Sequence, residues 1–155
     1  MLTNGPFSTF PGCDRVILAL EGAGMVLTHH DTGTEAVLGT LEPWAFSGEW
    51  ETSCVLRDGA IRDFNVITRR AAFTTAVSVM RVAEARTVEL VADTTLLYCA
   101  AGELLVDAAQ PVALAPDHTL ILVRTNGGKE FISLQPSGSR STVIQVELFA
   151  AERTS

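Results

Sequence analysis

The apolar runs of this chain are short, and this constrains its fold more than any other feature. Residues 16–20 form such a run and end at Glu21-Gly22-Ala23-Gly24. Short runs rich in β-branched residues and bounded by turn residues predict strands. A helix needs a longer, capped periodic pattern, which residues 71–72 and 82–86 lack. We therefore expect an all-β protein.

The same pattern continues along the whole chain. In the first half it predicts strands at residues 16–20, 25–28, 35–41, 50–56 and 63–68. In the second half it predicts strands at residues 73–82, 86–91, 95–99, 103–106, 119–124, 130–134 and 142–149. Asn126-Gly127-Gly128 predicts a turn between two of them. Many short strands at regular spacing are typical of a sandwich or barrel.

The two halves also resemble each other. Residues 18–27 are similar to residues 97–106 when Gly24 is aligned on Gly102. Each segment is followed by a Leu-x-Pro motif, at residues 41–43 and 114–116. A strand, a glycine turn, a strand and Leu-x-Pro together are typical of a cupin half.

We therefore predict a double-stranded β-helix of the cupin, or RmlC-like jelly-roll, type. Two cupin-like halves would form one bicupin domain over residues 1–155, divided at approximately 1–72 and 73–155. The chain is 47% apolar. This excess fits strands buried on both faces or a homodimer interface, and composition does not separate the two.

Charge and cysteine usage narrow the functional classes. The net charge of −7, with Arg69-Arg70 as the only basic pair, disfavours binding to nucleic acid or to an anionic membrane. Three cysteines, far apart in sequence, fit reduced thiols and not a disulfide framework. The first residues lack the basic and apolar regions of a signal peptide. We expect a cytoplasmic protein.

Metal and nucleophile motifs are not recognised in the sequence. His29 and His30 are adjacent, so a strand would point them apart, and His118 is isolated. We expect exposed loop histidines and no metal or other cofactor. Gly-x-Ser-x-Gly does not occur, and the cysteines lack an activating neighbour, so no catalytic residue is predicted.

Polar residues at strand ends are the candidate site. Glu21 ends one predicted strand, and Asp63 and Asn65 share one face of another. At a barrel mouth such groups could bind a small ligand. The alternative is that residues 63–65 cap a turn and that Asp14-Arg15 is a surface ion pair.

Four ordered motifs resemble the HutD/Ves family. They are Gly-Pro-Phe-Ser-Thr-Phe-Pro-Gly-Cys-Asp-Arg at residues 5–15, Leu-Glu-Gly-Ala-Gly at 20–24, Pro-Trp-Ala-Phe-Ser-Gly at 43–48 and Asp-Phe-Asn-Val-Ile-Thr-Arg-Arg at 63–70. The resemblance implies a bacterial bicupin without a metal, acting as a regulatory or accessory protein in histidine utilisation. It suggests a small carboxylate ligand, such as urocanate or a formylated or formiminylated glutamate.

These motifs and the polar strand ends together give a hypothesis for the site. The acid would be held by Asn65 and Arg69, with Asp63 orienting the arginine and Trp44 and Phe46 as aromatic walls. An arginine can hold a carboxylate through two parallel hydrogen bonds.

Two other classes of function stay open. One is a metal-free cupin enzyme, an isomerase or hydrolase, with Glu21 or Asp63 as the base. The other is a structural protein that has lost its site. Family members usually begin with a further segment carrying a Pro-Trp-Lys-Asn-Gly-Gly-Gly-Thr-like motif, and this sequence starts after it. We expect either a late start or a lost segment, and an uncovered strand edge that favours dimerisation.

Overall fold

The computed structural model describes residues 1, 3–108, 110–125 and 127–151, and within these residues it is all-β, as predicted. The first strands are β1 (Gly5–Pro6), β2 (Cys13–Glu21), β3 (Met25–His29), β4 (Thr34–Leu38), β5 (Trp44–Ser47), β6 (Thr52–Leu56) and β7 (Arg62–Arg69). The later strands are β8 (Phe73–Val82), β9 (Arg86–Leu90), β10 (Thr94–Ala101), β11 (Leu104–Asp107), β12 (Pro111–Leu114), β13 (Thr119–Val123), β14 (Glu130–Pro136) and β15 (Ser141–Ala150). None of the described residues belongs to a helix able to cross a membrane.

The chain divides into two compact units, Met1–Phe73 and a second that begins at Thr74. In the first unit, one sheet has the strand order β1-β6-β3-β4 and the other has the order β5-β2-β7. Apolar residues of β2 and β3, including Ile17, Ala19, Met25 and Leu27, form its buried core. That the two units make a single domain stays a prediction.

The second unit repeats this order. Its sheets are β9-β14-β11-β12 and β13-β10-β15-β8, so the strands of the first unit recur eight positions later in the same arrangement. Its core is built from β10, β11, β14 and β15, and includes Leu97, Leu104, Leu134 and Val143. The repeat confirms the prediction of two cupin-like halves. Among the described strands, β8 has no counterpart in the first unit.

The structure corrects the register of the repeat. β2 has a bulge between Ala19 and Glu21, and β10 has one between Cys99 and Ala101. Gly102 therefore corresponds to Gly22 and not to Gly24. The prediction was wrong because the turn after Gly22 is longer than the turn after Gly102, and a match on strand pattern cannot detect such an insertion.

The two glycines have the same physical role. Both have positive φ, 95° at Gly22 and 76° at Gly102. A Cβ at Gly22 would lie 2.8 Å from the carbonyl oxygen of Ala60, and one at Gly102 would lie 2.6 Å from that of Arg140. Only glycine fits where the turn after a bulge passes so close to a neighbouring backbone.

The Leu-x-Pro motifs do not correspond either. The backbone N–H of Leu41 donates to Ala19 O, and that of Asp117 donates to Cys99 O, each at 2.8 Å. Both residues have a φ of 64°. Leu41 therefore corresponds to Asp117, so a conserved turn geometry is supplied by two different residue types.

All twelve predicted strands overlap an observed strand, but β1, β5 and β12 were missed. These three strands are short. The rejection of a helix at residues 82–86 is confirmed, because Val82 ends β8 and Arg86 begins β9. Asn126, in the predicted Asn-Gly-Gly turn, lies outside the described residues.

Gly102→Ala should lower the free energy of unfolding by more than about 2 kcal/mol, because left-handed φ alone costs about 1–2 kcal/mol and the Cβ would also overlap a backbone oxygen. The control is Gly59→Ala, where φ is 67° and nothing lies within 4 Å of the new Cβ. Urea unfolding measures both. Equal losses in the two variants would show that close approach at Gly102 is unimportant.

Candidate functional site

The inner face of the β5-β2-β7 sheet carries most of the predicted site. Ile17 and Ala19 of β2 point into the core from this face. Trp44 of β5 and Asn65 of β7 are the register partners of Ile17, and Asp63 is the partner of Ala19. Directly opposed residues share a face of a sheet. Trp44, Asn65 and Asp63 therefore lie on the same face of the sheet, which is buried at β2 and exposed at Asn65.

Arg15 lies at the centre of this face and was missed as a site residue. Its register partners are Phe46 of β5 and Ile67 of β7. Arg15 is only 6% exposed. The sequence signal that could have found it is its spacing, since Arg15, Ile17 and Ala19 alternate with residues on the opposite face of one strand.

Three phenyl rings surround the Arg15 guanidinium. Its central carbon lies 4.8 Å from the centroid of Phe7, 5.3 Å from that of Phe10 and 5.0 Å from that of Phe46. Cations within about 6 Å of a ring face are attracted by its quadrupole. The segment before β2 thus supplies two rings of the site, and β5 supplies the third.

Hydrogen bonds connect Arg15 to the polar residues of β7. Its Nη2 donates to Asn65 Oδ1 at 2.9 Å, and its Nη1 donates to Ser8 O at 3.2 Å. Asn65 Nδ2 in turn donates to Asp63 Oδ2 at 2.7 Å. The Nε of Arg15 is buried and has no hydrogen-bond partner among the described residues. We call Arg15, Asp63 and Asn65 the arginine cluster.

Burial lowers the pKa of Arg15, and the nearby negative charge of Asp63 raises it. An arginine starts from so high a value that it keeps its charge inside proteins. The arginine cluster therefore pairs a fixed buried cation with a carboxylate, and the Asn65 amide bridges them.

The alternative interpretation of these segments was wrong. Arg15 is not in a surface ion pair with Asp14, because Asp14 accepts a hydrogen bond from Arg70 Nε at 2.8 Å. Residues 63–65 do not cap a turn, because they lie within β7. Two adjacent residues of a strand point to opposite faces, so a sequence neighbour is a poor guide to the partner of Arg15.

Two predicted residues lie apart from the arginine cluster. Arg69 ends β7 and is exposed, with Cys13 as its register partner. Glu21 is exposed beyond the β2 bulge and pairs with Arg62. The bulge changes the side of the strand on which Glu21 emerges, which a regular alternation does not anticipate.

His29 forms a second polar centre in the first unit. It ends β3, is fully buried, and its ring lies 4.8 Å from the Phe46 ring and 5.1 Å from the Trp50 ring. The expectation of an exposed loop histidine was wrong for His29. His30 and His118 are exposed, and the adjacent pair does point apart.

Hydrogen bonds fix the tautomer of His29. Trp44 Nε1, which can only donate, lies 3.0 Å from His29 Nε2. The ring proton is therefore on Nδ1, which donates to Thr52 Oγ1 at 2.8 Å, and Thr52 donates to Trp50 O at 3.2 Å. Burial is the main cause that lowers the pKa of His29. A second proton on the His29 ring would sit on Nε2 and would face the Trp44 N–H directly.

Metal binding and cysteine catalysis find little support among the described residues. Its His, Cys, Asp and Glu side chains form no group of three that could hold a metal ion. Cys54 and Cys99 are buried, and burial raises the pKa of both thiols. A raised pKa disfavours the thiolate that a cysteine nucleophile needs.

The second unit has different residues at the corresponding positions. Counted from the two bulges, Ala19 corresponds to Cys99, and the register pairs fix the rest. Arg15 corresponds to Thr95, Asn65 to Gln145, Asp63 to Val143, Trp44 to Leu120 and Phe46 to Leu122. The arginine cluster therefore belongs to the first unit alone.

Antiparallel sheets that recur in the same strand order in two units define the cupin class of fold. A Cupin 2 conserved barrel domain protein from Leptotrichia buccalis is similar in structure, with a TM-score of 0.59 over 95% of this chain and 78% of that one. The sequence identity is 8%, so this likeness concerns the fold alone.

The chain belongs to the HutD family, whose model matches residues 2–140. Two curated relatives match about two fifths of this chain. An uncharacterized 21.2 kDa protein in the hutC 3′ region of Pseudomonas putida is 47% identical over 64 residues, which are 41% of this chain and 33% of the relative. Protein Ves of Escherichia fergusonii is 43% identical over 68 residues, 43% of this chain and 35% of Ves. The match thus spans about a third of these relatives.

Solved structures match over almost the whole chain. A conserved protein of unknown function from Pseudomonas aeruginosa PAO1 has a TM-score of 0.87 and 31% identity, covering 97% of this chain and 79% of that one. HutD from Pseudomonas fluorescens SBW25, in a formate condition, has a TM-score of 0.74 and 32% identity, covering 97% and 76%.

The stability of the protein should fall as the pH drops below about 6.5. The unfolded chain takes up a proton on His29 near its ordinary pKa of about 6.5, whereas the folded chain does so only at lower pH. The loss should approach about 1.4 kcal/mol per pH unit until the folded pKa is reached.

Urea unfolding between about pH 7.5 and 5 measures this slope. His29→Gln, which can still accept from Trp44 and donate to Thr52, should flatten it, while His30→Gln in the exposed neighbour should keep it. An unchanged slope in His29→Gln would assign the pH dependence to other groups.

Proposed function

We propose that this protein is a non-catalytic binding protein that holds a small carboxylate in its first cupin half and serves histidine utilisation in a regulatory or accessory role. One observation carries the proposal. Arg15 is a buried guanidinium on the inner face of the sheet, and its Nε has no hydrogen-bond partner among the described residues. Buried arginines are the preferred receptors for carboxylates.

An incoming carboxylate would complete the hydrogen bonding of Arg15. An unsatisfied buried donor costs about 1–3 kcal/mol, which a ligand that accepts from it recovers. Asn65 is exposed and Asp63 is half-buried, so the β7 side of the arginine cluster is open to solvent. The carboxylate would approach Arg15 from this side, while the Phe46 ring flanks Arg15 on the β5 side.

Asp63 adds a second requirement for the ligand. Its Oδ1 lies 3.2 Å from the Met1 ammonium, and its Oδ2 accepts from Asn65 Nδ2. A further lone pair of either oxygen would accept from an N–H group close to the carboxylate of the ligand. Urocanate, formylglutamate and formiminoglutamate all combine the two groups. Trp44 and Phe46 on the same face would pack against the body of the ligand.

Arg69 has a supporting role in this proposal. It lies on the same face of β7 as Asp63 and Asn65, further along the strand, and it is exposed. It could meet the second carboxylate of a glutamate derivative, which urocanate lacks. Arg15 therefore replaces Arg69 as the principal receptor, and the exposed Glu21 has no role in the proposed site.

The link to histidine utilisation comes from the relatives. The chain belongs to the HutD family, and one relative is named for its position in the hutC 3′ region. The small acids of that pathway are therefore the first ligands to test. Their functional groups match the arginine cluster, which supports the proposal independently of the name.

Titration calorimetry should detect binding of one of urocanate, formylglutamate, formiminoglutamate or glutamate. Arg15→Lys should weaken it at least about tenfold, because a charge-assisted fork contributes about 1.5–3 kcal/mol. Asn65→Ala should also weaken binding, and this exposed position should leave the fold intact. Arg69→Ala should weaken only the ligands with two carboxylates.

Arg81→Ala is the matched control, because Arg81 is an exposed arginine on β8. It should bind as the parent does. Equal affinity in the parent, Arg15→Lys and Asn65→Ala would refute the proposed site. Folding is checked by circular dichroism, so that loss of binding is not confused with loss of structure.

A further inference from the structure

The second unit contains a cavity of its own. Its volume is about 450 Å³, within the range of about 300–1,000 Å³ that is typical of small-molecule sites. Among the described residues it is lined by Leu90, Ala108, Leu122, Val123, Thr125, Glu130, Phe131 and Ile132. None of these residues belongs to the arginine cluster, so the cavity is independent of the function proposed above.

The internal repeat explains why this cavity is present. Matching Met25 with Leu104, the first residues of β3 and β11, places His29 on Ala108. The pairing of β3 with β6 and of β11 with β14 places Thr52 on Ile132. The pairing of β2 with β5 and of β10 with β13 places Phe46 on Leu122. In the first unit the His29 ring packs between aromatic rings, whereas Ala108 has a single methyl group. The small side chain leaves space where the first unit is filled.

The walls of the cavity are apolar, with one charge. Leu90 and Ile132 are core residues, and Leu122 and Ala108 pack against the same core. Glu130 is the register partner of Leu90 and shares the inner face with Ile132. It is the one charged residue among the described lining residues, and it accepts a hydrogen bond from the Thr125 N–H at 3.3 Å.

The rim of the cavity exposes large apolar side chains. Phe131 is 54% exposed and Val123 is 63% exposed. Phe131 follows Glu130 along β14, so its ring points to the face opposite the Glu130 carboxylate, and Glu130 alone sets the sign of charge inside the cavity. A ligand with an apolar body would cover the rim and the walls together.

We propose that this cavity is a second ligand site, for a small cation with a flat apolar body, such as an aromatic amidine or ammonium compound. The cationic group binds at Glu130 and the body lies against Leu90, Leu122 and Ile132. The ligand is thus opposite in charge to the acid proposed for the first unit.

Benzamidinium, benzyl alcohol and benzoate test the proposal, since they share a phenyl ring and differ in charge. Amide chemical shifts in a ¹⁵N-labelled protein locate each probe. Benzamidinium should bind most tightly, and it should shift the amides of residues that line the cavity. Glu130→Gln should weaken benzamidinium about tenfold and leave benzyl alcohol within about twofold, because only the charged pair is lost.

Ala108→Leu tests the location by filling the cavity, and it should abolish the shifts. Ala113→Leu adds the same atoms at an exposed position of β12 and should bind as the parent does. The proposal is overturned if benzoate or benzyl alcohol binds as tightly as benzamidinium, if Ala108→Leu binds normally while folded, or if no probe shifts the lining residues.

Discussion

Each unit is organised around a central strand that is paired on both sides and buried on both faces. In the first unit this strand is β2, where Val16, Ile17, Leu18 and Ala19 are all at most 7% exposed. In the second unit it is β10, with Leu97, Tyr98 and Cys99 buried. A strand buried on both faces cannot carry the usual polar alternation. Such strands account for part of the apolar excess of the chain.

The bulge and glycine at the end of each central strand follow from this burial. The chain leaves a strand that has neighbours on both sides, so it must turn within a few residues and pass close to the start of β7 or β15. Gly22 and Gly102 permit this because they lack a Cβ where Ala60 O and Arg140 O approach. The frame is thus fixed by backbone sterics, which leaves the inward side chains free to differ.

The two interiors show how far that freedom extends. At one pair of corresponding strand positions, the first unit has Arg15 and the second has Thr95. At another pair, the first unit has His29 and the second has Ala108. A buried arginine requires partners, which Asn65, Ser8 O and three rings supply in the first unit. The second unit has Gln145 in place of Asn65 and Leu122 in place of Phe46, and it keeps an open cavity. One fold therefore presents two chemically different environments.

The all-β fold, the repeat and most strands could be predicted because they rest on local patterns. The period of two along β9 and the turn residues between strands are visible in the sequence. The missed strand β5 is short, and its pairing with β2 depends on a contact that is distant in sequence. The predicted alignment of the two halves was wrong for a similar reason. The turn after Gly22 has one added residue, and a weak sequence similarity cannot detect it.

The members of the arginine cluster were predicted in part for the same reason. Asp63 and Asn65 were found because their spacing places them on one face, and Trp44 and Phe46 lie opposite β2 on that face. Arg15 and His29 were missed because their neighbours in sequence, Asp14 and His30, suggested exposed polar segments. The burial of Arg15 depends on Phe7, Phe10 and Phe46, which pack around it only in the folded chain.

The net charge of −7 determines how an acid could be recognised at all. At long range this field opposes the approach of an anion, so electrostatic steering does not help its association. Salt screens charges beyond about 8 Å at physiological ionic strength, while a buried pair at contact is screened much less. In the proposed site, selection of a carboxylate would therefore rest on short-range hydrogen bonds to Arg15, in surroundings less polar than water. A guanidinium buried under phenyl rings suits this task because its charge acts only on a ligand that has already entered.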